Sequence, residues 1–277
     1  MRTTIGIVLA GLVLATANPV ERLGRLDAPA LREASGIVRS RRHADTFWVH
    51  NDSGNLPTLF AVQRDGHLIQ SFRVAAPALD WEDVATDDAG HLYVGEIGNN
   101  DLRLRVRAIY RFDEPDPRRP ATGPLRLTAS TYYRFADHDR FDAESLFVIQ
   151  SRAYLIAKWS NGKDAALYSV PLDPPASLQQ PAIPRLCGVL PGCDEPATGA
   201  DLTPDGLLLA VMTTKAARVY RSSGPESWEL VATVRVEARD VEGICWDGLD
   251  LILAAEDRSL YRIAEKVWRA DPGKRKR

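Results

Sequence analysis

The chain has 277 residues, of which 45% are hydrophobic and 26% charged, with a formal net charge of −2. That length suits one large all-β domain or two ordinary ones, and the composition belongs to a folded globular protein, which sets aside disordered and fibrous classes. The near balance of charge offers a nucleic-acid partner no global electrostatic support, so none is expected.

At the start, Met1-Arg2 precedes an apolar run from Ile5 to Ala15 and then Ala15-Thr16-Ala17. A positive start, an apolar run short for a bilayer and an A-x-A site form the pattern of a cleavable signal peptide over residues 1–17. The expected location is the periplasm or the exterior, with Asn18 as first mature residue. No later apolar stretch is long enough to span a membrane. Residues 18–270 are expected to form a single monomeric domain. The basic stretch 271–277 reads as a solvated tail.

Next come five copies of one pattern. They begin at Glu33, Asp80, Asp142, Thr198 and Asp240, 42 to 62 residues apart. Three share D-x-E followed by an aliphatic residue two positions on: Asp80-Trp81-Glu82-Asp83-Val84, Asp142-Ala143-Glu144-Ser145-Leu146 and Asp240-Val241-Glu242-Gly243-Ile244. Sixteen residues after each Asp stands a polar residue closing an apolar run: Glu96, Lys158 and Glu256. Asn51 closes the corresponding run of the first copy. Aliphatic-aromatic pairs follow, Leu59-Phe60, Ile109-Tyr110, Leu167-Tyr168, Val219-Tyr220 and Leu260-Tyr261, and are read as packing between neighbouring units.

Asp88-Ala89-Gly90, Pro204-Asp205-Gly206 and Asp247-Gly248 predict tight first hairpins, and Arg64-Asp65-Gly66 a later one. Leu68 to Val74, Leu127 to Phe135 and Trp228 to Val236 predict fourth strands. No stretch after the first 17 residues has convincing helical periodicity. Four-stranded units repeating every 40–50 residues or so mark a β-propeller.

The stretch Ala28-Pro29-Ala30-Leu31 before the first copy matches Ala76-Pro77-Ala78-Leu79 before the second. The latter joins one unit's fourth strand to the next unit's first. Glu21 to Leu26 should therefore be the fourth strand of the last unit, closing the ring and removing an open edge. The fold expected is all-β: a five-bladed propeller closed by its N-terminal strand. A six-bladed ring, the alternative, would need a sixth copy, and none is found.

In a propeller the loop before strand one and the loop after strand two open at the same mouth of the central channel. Residues i and i+2 of a strand share a side, so each D-x-E should give a carboxylate pair. The mouth would then gather Glu33, Asp80, Glu82, Asp142, Glu144, Asp240 and Glu242, with Asn51, Asp52, Glu96, Asn99, Asn100, Lys158 and Glu256. Crowded carboxylates must protonate, pair with bases such as Lys158, Arg103, Arg105 or Arg107, or bind a hard cation such as Ca2+. Glu82, Glu144 and Glu242 are the expected inner metal ligands, with Glu96, Asn99 and Asn51 next.

Asn51, Asp52, Asp80, Trp81, Asp83, Asn100, Arg105, Lys158 and Glu256 are the expected ligand-binding set, Trp81 as a stacking surface. The partner would be a small molecule or a protein at the mouth. The plainer reading is that the acids tie blades together through backbone N–H groups, and that the Asn and Gly residues only shape turns. Asp137-His138-Asp139 falls in an inter-blade loop and is read as solvated. Cys187 and Cys193, close together in a Pro/Gly-rich loop, are expected to form a disulfide in an exported protein. Cys245, in an apolar run, reads as a buried thiol.

The phrases "SGI…WVHNDSG", "DWEDVA…LYVGEIGNN…IYRFDEP", "DAESLFV…YLIAK", "ADLTPDG" and "DVEGICWDG…LILAAED" together resemble small exported bacterial β-propellers of the phytase-like or WD40-like type. The resemblance runs over nearly all of residues 18–270. Better-understood relatives, the β-propeller phytases and the calcium-dependent propeller lactonases and esterases, hold Ca2+ at the channel mouth among Asp, Glu and Asn. The resemblance thus implies Ca2+ as cofactor, and a Ca2+-dependent hydrolase of phosphate esters or lactones as the alternative to a binding module. Two features depart from the phytases: five copies instead of six, and few basic residues to hold several phosphates.

Overall fold

The computed structural model describes residues 19–100, 104–135, 141–158, 162–224 and 226–270. The leader-like segment 1–17, Arg103, Asp137-His138-Asp139 and the tail 271–277 lie outside the described residues.

β1 (Glu21–Arg25) stands apart from the four strands that follow it. Blade one is β2 (Ala34–Arg39), β3 (Phe47–Asn51), β4 (Thr58–Val62) and β5 (Leu68–Arg73). Blade two is β6 (Trp81–Thr86), β7 (His91–Glu96), β8 (Arg107–Asp113) and β9 (Ala129–Tyr133). Blade three is β10 (Ala143–Ile149), β11 (Arg152–Ala157), β12 (Ala165–Pro171) and β13 (Arg185–Leu190). Blade four is β14 (Ala197–Leu202), β15 (Leu208–Thr213), β16 (Ala216–Gly224) and β17 (Ser227–Arg235). Blade five takes β18 (Val241–Asp247), β19 (Asp250–Ala255) and β20 (Ser259–Ile263), and β1 completes it.

Within each blade neighbouring strands run antiparallel, in sequence order except that β1 follows β20 in blade five. The first strands β2, β6, β10, β14 and β18 touch one another in a closed cycle, so the five sheets form a ring. This is the five-bladed propeller expected. β1 closes it: Glu21 pairs with Arg262 and Arg25 with Ser259, and the Leu26 amide donates to the Arg258 carbonyl at 2.8 Å.

The burial pattern follows strand position. β3 and β6 are buried at every residue, because each lies between two blades; both mix apolar side chains with buried polar ones, His50 and Asn51 in β3 and Glu82, Asp83 and Thr86 in β6. The outer β17 alternates, with Trp228 and Val234 inward and charged neighbours outward. Trp48, Phe72, Trp81 and Phe112 fill the layer between blades one and two; Phe147, Tyr154, Tyr220 and Trp228 fill that between three and four. Each such side chain contributes about 1.5–3 kcal/mol by leaving water. A four-residue helix, α1 (Glu265–Trp268), follows β20 and is too short to show a 3.6-residue period. It seats Trp268 edge-on against Trp246, with its Nε1 donating to the Leu249 carbonyl at 2.8 Å.

Two features depart from expectation. First, every inner strand bulges near its start. The register slips between Ala34 and Ile37, Trp81 and Asp83, Ala143 and Ser145, Ala197 and Gly199, and Val241 and Gly243. Second, Cys187 and Cys193 form no disulfide, and all three cysteines are free thiols. Cys187 lies on β13 with Sγ turned toward the Arg185 carbonyl and Glu226. Cys193 is buried beside the Tyr220 hydroxyl in the layer between blades three and four. One thiol thus belongs to a surface strand and the other to the interior. Cys245 is buried, as expected.

Candidate functional site

Strand register sorts the polar residues of the mouth into two ranks. Glu96 pairs with Trp81 and Asn51 with Ala34, so both are the last residue of a second strand. Ala157 pairs with Ala143 and Ala255 with Val241, so Lys158 and Glu256 stand one residue further on, level with Asp52. A constant count of sixteen residues conceals this, because the first hairpins differ in length. Ile149 pairs with Arg152 and Asp247 with Asp250 across two-residue turns, whereas blade two turns through 87–91.

The first rank is occupied in tying backbone. Asn51 Oδ1 accepts the amides of Arg32 (2.6 Å) and Glu33 (3.2 Å), and its Nδ2 donates to the Ala30 carbonyl. Glu96 accepts the amides of Leu79 (3.0 Å) and Asp80. The Asn99 amide donates to Asp142 Oδ1 at 2.7 Å, while its side chain joins Leu104 to Phe141. Asp83 sits deeper in the channel and accepts the amides of Val84 (2.9 Å), Leu146 (2.8 Å) and Ala200 (3.2 Å), which belong to three different blades. Burial pushes its carboxyl well above the ordinary range despite those donors.

Trp81 is packed inside, not at the mouth. Its Nε1 donates to the Pro77 carbonyl at 2.8 Å, and its ring meets His50 edge-on at 5.8 Å. Arg105 points to solvent. Arg107 is buried beneath Phe135 and Phe141.

The bulges set the centre of the mouth. The residue extruded in each blade is Ser35, Glu82, Glu144, Thr198 or Glu242, and a bulge re-aims its side chain away from the pleat. Ser35 and Thr198 turn sideways: their hydroxyls donate to the carbonyls of Glu82 (2.7 Å) and Val241 (2.9 Å) on the next blade. Glu144 repels both Glu82 and Glu242 across the mouth. Ser35 and Thr198 were not among the expected site residues. Hydroxyl residues at the position of the glutamates were the available signal, recognisable once the bulge defines that position.

The two sides of the mouth differ. On the side of blades one and two, Asp52, Asp80 and Glu82 each bring an oxygen within 4.8 Å of the others. Glu82 is 4% exposed, and its Oε1 has no hydrogen-bond partner among the described residues. Gly98 walls this group: a Cβ there would overlap Glu82 Oε1 and stand 2.6 Å from Asp80 Oδ2. On the blade-three side, Lys158 Nζ donates to Glu144 Oε1 and to Asn100 Oδ1 (2.8 Å) and stands 3.8 Å from Asp142 Oδ2. Glu256 is half-buried near Asp240, Asp52 and Glu33.

Burial dominates the electrostatics. It raises Asp80 to about 6, helped by Asp52 and Asp142. It raises Glu82 to about 11, helped by Glu144, Asp52 and Asp80. Glu144 rises to about 7 although the Lys158 ammonium opposes the shift, and Glu242 rises to about 8 beside Glu144 and Glu256. Without a bound cation, the mouth at neutral pH therefore retains protons on groups that normally lose them. Clefts also lie elsewhere, one of about 730 Å³ beside Trp268 and one of about 370 Å³ among the first hairpins around Arg41 and Asp205. A cleft of about 360 Å³ lined by Arg32, Asn51, Asn55 and Leu56 shares Asn51 and the loop after it with the mouth.

No protein-family model and no curated protein sequence matches the chain. Among solved structures, it is similar to the β-propeller domain of Cps50 (Swd1) from Myceliophteria thermophila. Identity there is 12% over 83% of this chain and 64% of that one, with a TM-score of 0.43. It is also similar to a chain of the Mitotic Checkpoint Complex, at 9% identity over 82% of this chain and 60% of that one, with a TM-score of 0.43. The chain thus spans less than two thirds of either. These likenesses concern fold alone, and the propeller assignment rests on the strand topology.

Proposed function

We propose that the protein is a binding module whose acidic channel mouth takes a divalent cation, Ca2+ foremost, among Asp52, Asp80 and Glu82. The observation that carries this reading is the unpartnered Glu82 Oε1, buried within reach of two further carboxylates. Buried polar atoms of folded proteins nearly always have a partner; Glu82 Oε1 is one of several exceptions among the described residues, and its place beside two further carboxylates is what asks for a ligand or a proton. Hard cations of the size of Ca2+ take carboxylate oxygens in flexible numbers, which suits side chains drawn from two blades. Glu144 is engaged by Lys158, while Glu96 and Asn99 are engaged by backbone, so these expected ligands move to supporting roles. Glu242 can approach as a further acid. An exported location agrees with such a site, since extracellular modules bind Ca2+ with Kd values of about 10⁻⁴–10⁻³ M. No described helix is long and apolar enough to cross a membrane.

A second reading makes the protein a Ca2+-dependent hydrolase of phosphate esters or lactones. It is favoured by Glu144, whose carboxyl at about 7 suits a general base near neutral pH. The binding reading stands first because a fold does not license an activity and no nucleophile is poised at the mouth among the described residues. Calorimetric titration with Ca2+ and Mg2+ tests the site. The intact chain should bind Ca2+ and Glu82→Gln should not; no heat from the intact chain refutes the reading. Ca2+-dependent turnover on a phosphate-ester and lactone panel, lost in Glu144→Gln, would replace it with the hydrolase.

A further inference from the structure

We infer that Lys158 is a tethered cation that reserves the blade-three side of the mouth and so restricts the site to a single divalent ion. This rests on the reading of Asp52, Asp80 and Glu82 as a cation site, and adds what limits its stoichiometry.

Lys158 occupies in blade three the place that Asp52 holds in blade one and Glu256 in blade five. The backbone at that place performs the same task in all three. The amides of Asp52, Lys158 and Glu256 donate to the carbonyls of Glu33 (3.0 Å), Asp142 (2.9 Å) and Asp240 (2.9 Å). The fold therefore makes no demand on the side chain there: blades one and five carry an acid, and blade four carries Thr214, whose amide donates to the Pro196 carbonyl at 3.0 Å. In blade three a base stands instead, 14% exposed, with its ammonium directed into the mouth.

The oxygens around Nζ would otherwise form a second site. Glu144 Oε1 and Asn100 Oδ1 accept from Nζ, and Asp142 Oδ2 stands 3.8 Å away. Asp142 is buried at 2% exposure, and Oδ2 has no hydrogen bond among the described residues, while Oδ1 is fixed by the Asn99 amide. Two carboxylates and an amide carbonyl are the donor set of a hard cation. The ammonium supplies their countercharge from within the chain and repels a second divalent ion placed there. Removing it leaves these converging oxygens without that countercharge. The lysine thus permits the Asp52–Asp80–Glu82 side to be loaded while the blade-three side stays closed.

The test counts bound Ca2+ by equilibrium dialysis and elemental analysis. The intact chain should hold one ion, Lys158→Met two, and Lys158→Arg one. One ion in Lys158→Met overturns the inference while leaving the first site intact. No ion in the intact chain overturns the reading on which it rests, a distinguishable result. Should Lys158→Met fail to fold by circular dichroism, Glu144→Gln decides. It should keep one ion with an affinity within about threefold of the intact chain, the size of a screened charge contact. Loss of the ion in Glu144→Gln would place Glu144 in the first site and overturn the reservation by Lys158.

Discussion

Glu82 and Asp83 are neighbours in sequence, both buried, and burial raises the carboxyl of each, yet they belong to different kinds of site. Asp83 accepts amides from blades two, three and four. Glu82 leaves an oxygen without a hydrogen-bond partner among the described residues, beside two further acids. Neither burial nor a raised carboxyl separates a structural acid from a candidate ligand here; what separates them is how many donors the surroundings provide.

The contrast should be largest in stability. Asp83→Ala strands three buried amides and is expected to cost about 3–5 kcal/mol, enough to abolish folding in a marginal protein. Urea unfolding of Asp83→Ala and Glu82→Gln in EDTA makes the comparison. Glu82→Gln should stay within about 1 kcal/mol of the parent, because without a cation Glu82 is already neutral. Equal losses in the two variants would erase the distinction.

Calcium should act through Glu82 and not through Asp83. At a hundredfold excess over Kd, a ligand of the native state adds about 2.7 kcal/mol. Melts of the parent in Ca2+ at that excess should exceed those in EDTA by several degrees, and Glu82→Gln should remove the difference. Gly98→Ala introduces a methyl group where the unpartnered oxygen now lies. It is expected to weaken Ca2+ about tenfold, or about 1.4 kcal/mol, with the fold retained. Unchanged affinity in that variant would move the ion away from Glu82.

The smallest effect is in pH. Asp80, Glu144 and Glu242 have folded values raised to about 6, 7 and 8. A carboxyl raised on folding favours the native state while it remains protonated, and that contribution is lost as pH rises through the folded value. In EDTA, stability should therefore decline from about pH 4, where the unfolded carboxyls ionise, to about pH 8, and Ca2+ should flatten the decline. Rising stability across that range in EDTA would mean that the mouth is better compensated than its geometry indicates.

Much of this architecture was legible from residue order. Asp-Gly turns and alternation in Val231 to Val236 are local signals, and the two Ala-Pro-Ala-Leu stretches mark equivalent links, so local pattern alone assigns β1 to blade five. The acids at the mouth could be gathered because a repeat carries equivalent residues to one face. Their division of labour could not. A difference in hairpin length moves Glu96 out of step with Lys158 and Glu256, and a bulge turns Glu82 away from Asp83. The expected ligand Asn99 is held by Asp142, Leu104 and Phe141, and the expected stacking surface Trp81 by Pro77 and His50, contacts that residue order does not show.

The sequence by itself determined the number of blades, their order, the closure of the ring and the acidic character of its mouth, since each depends on short-range patterning repeated along the chain. Only the tertiary structure decided which acids are satisfied. Leu146 and Ala200, whose amides fill Asp83, lie 63 and 117 residues from it, and Lys158 reaches Asn100 across 58. Donors that distant meet an acid only when the ring closes, so the residue types are written locally and their partners are assigned by the fold.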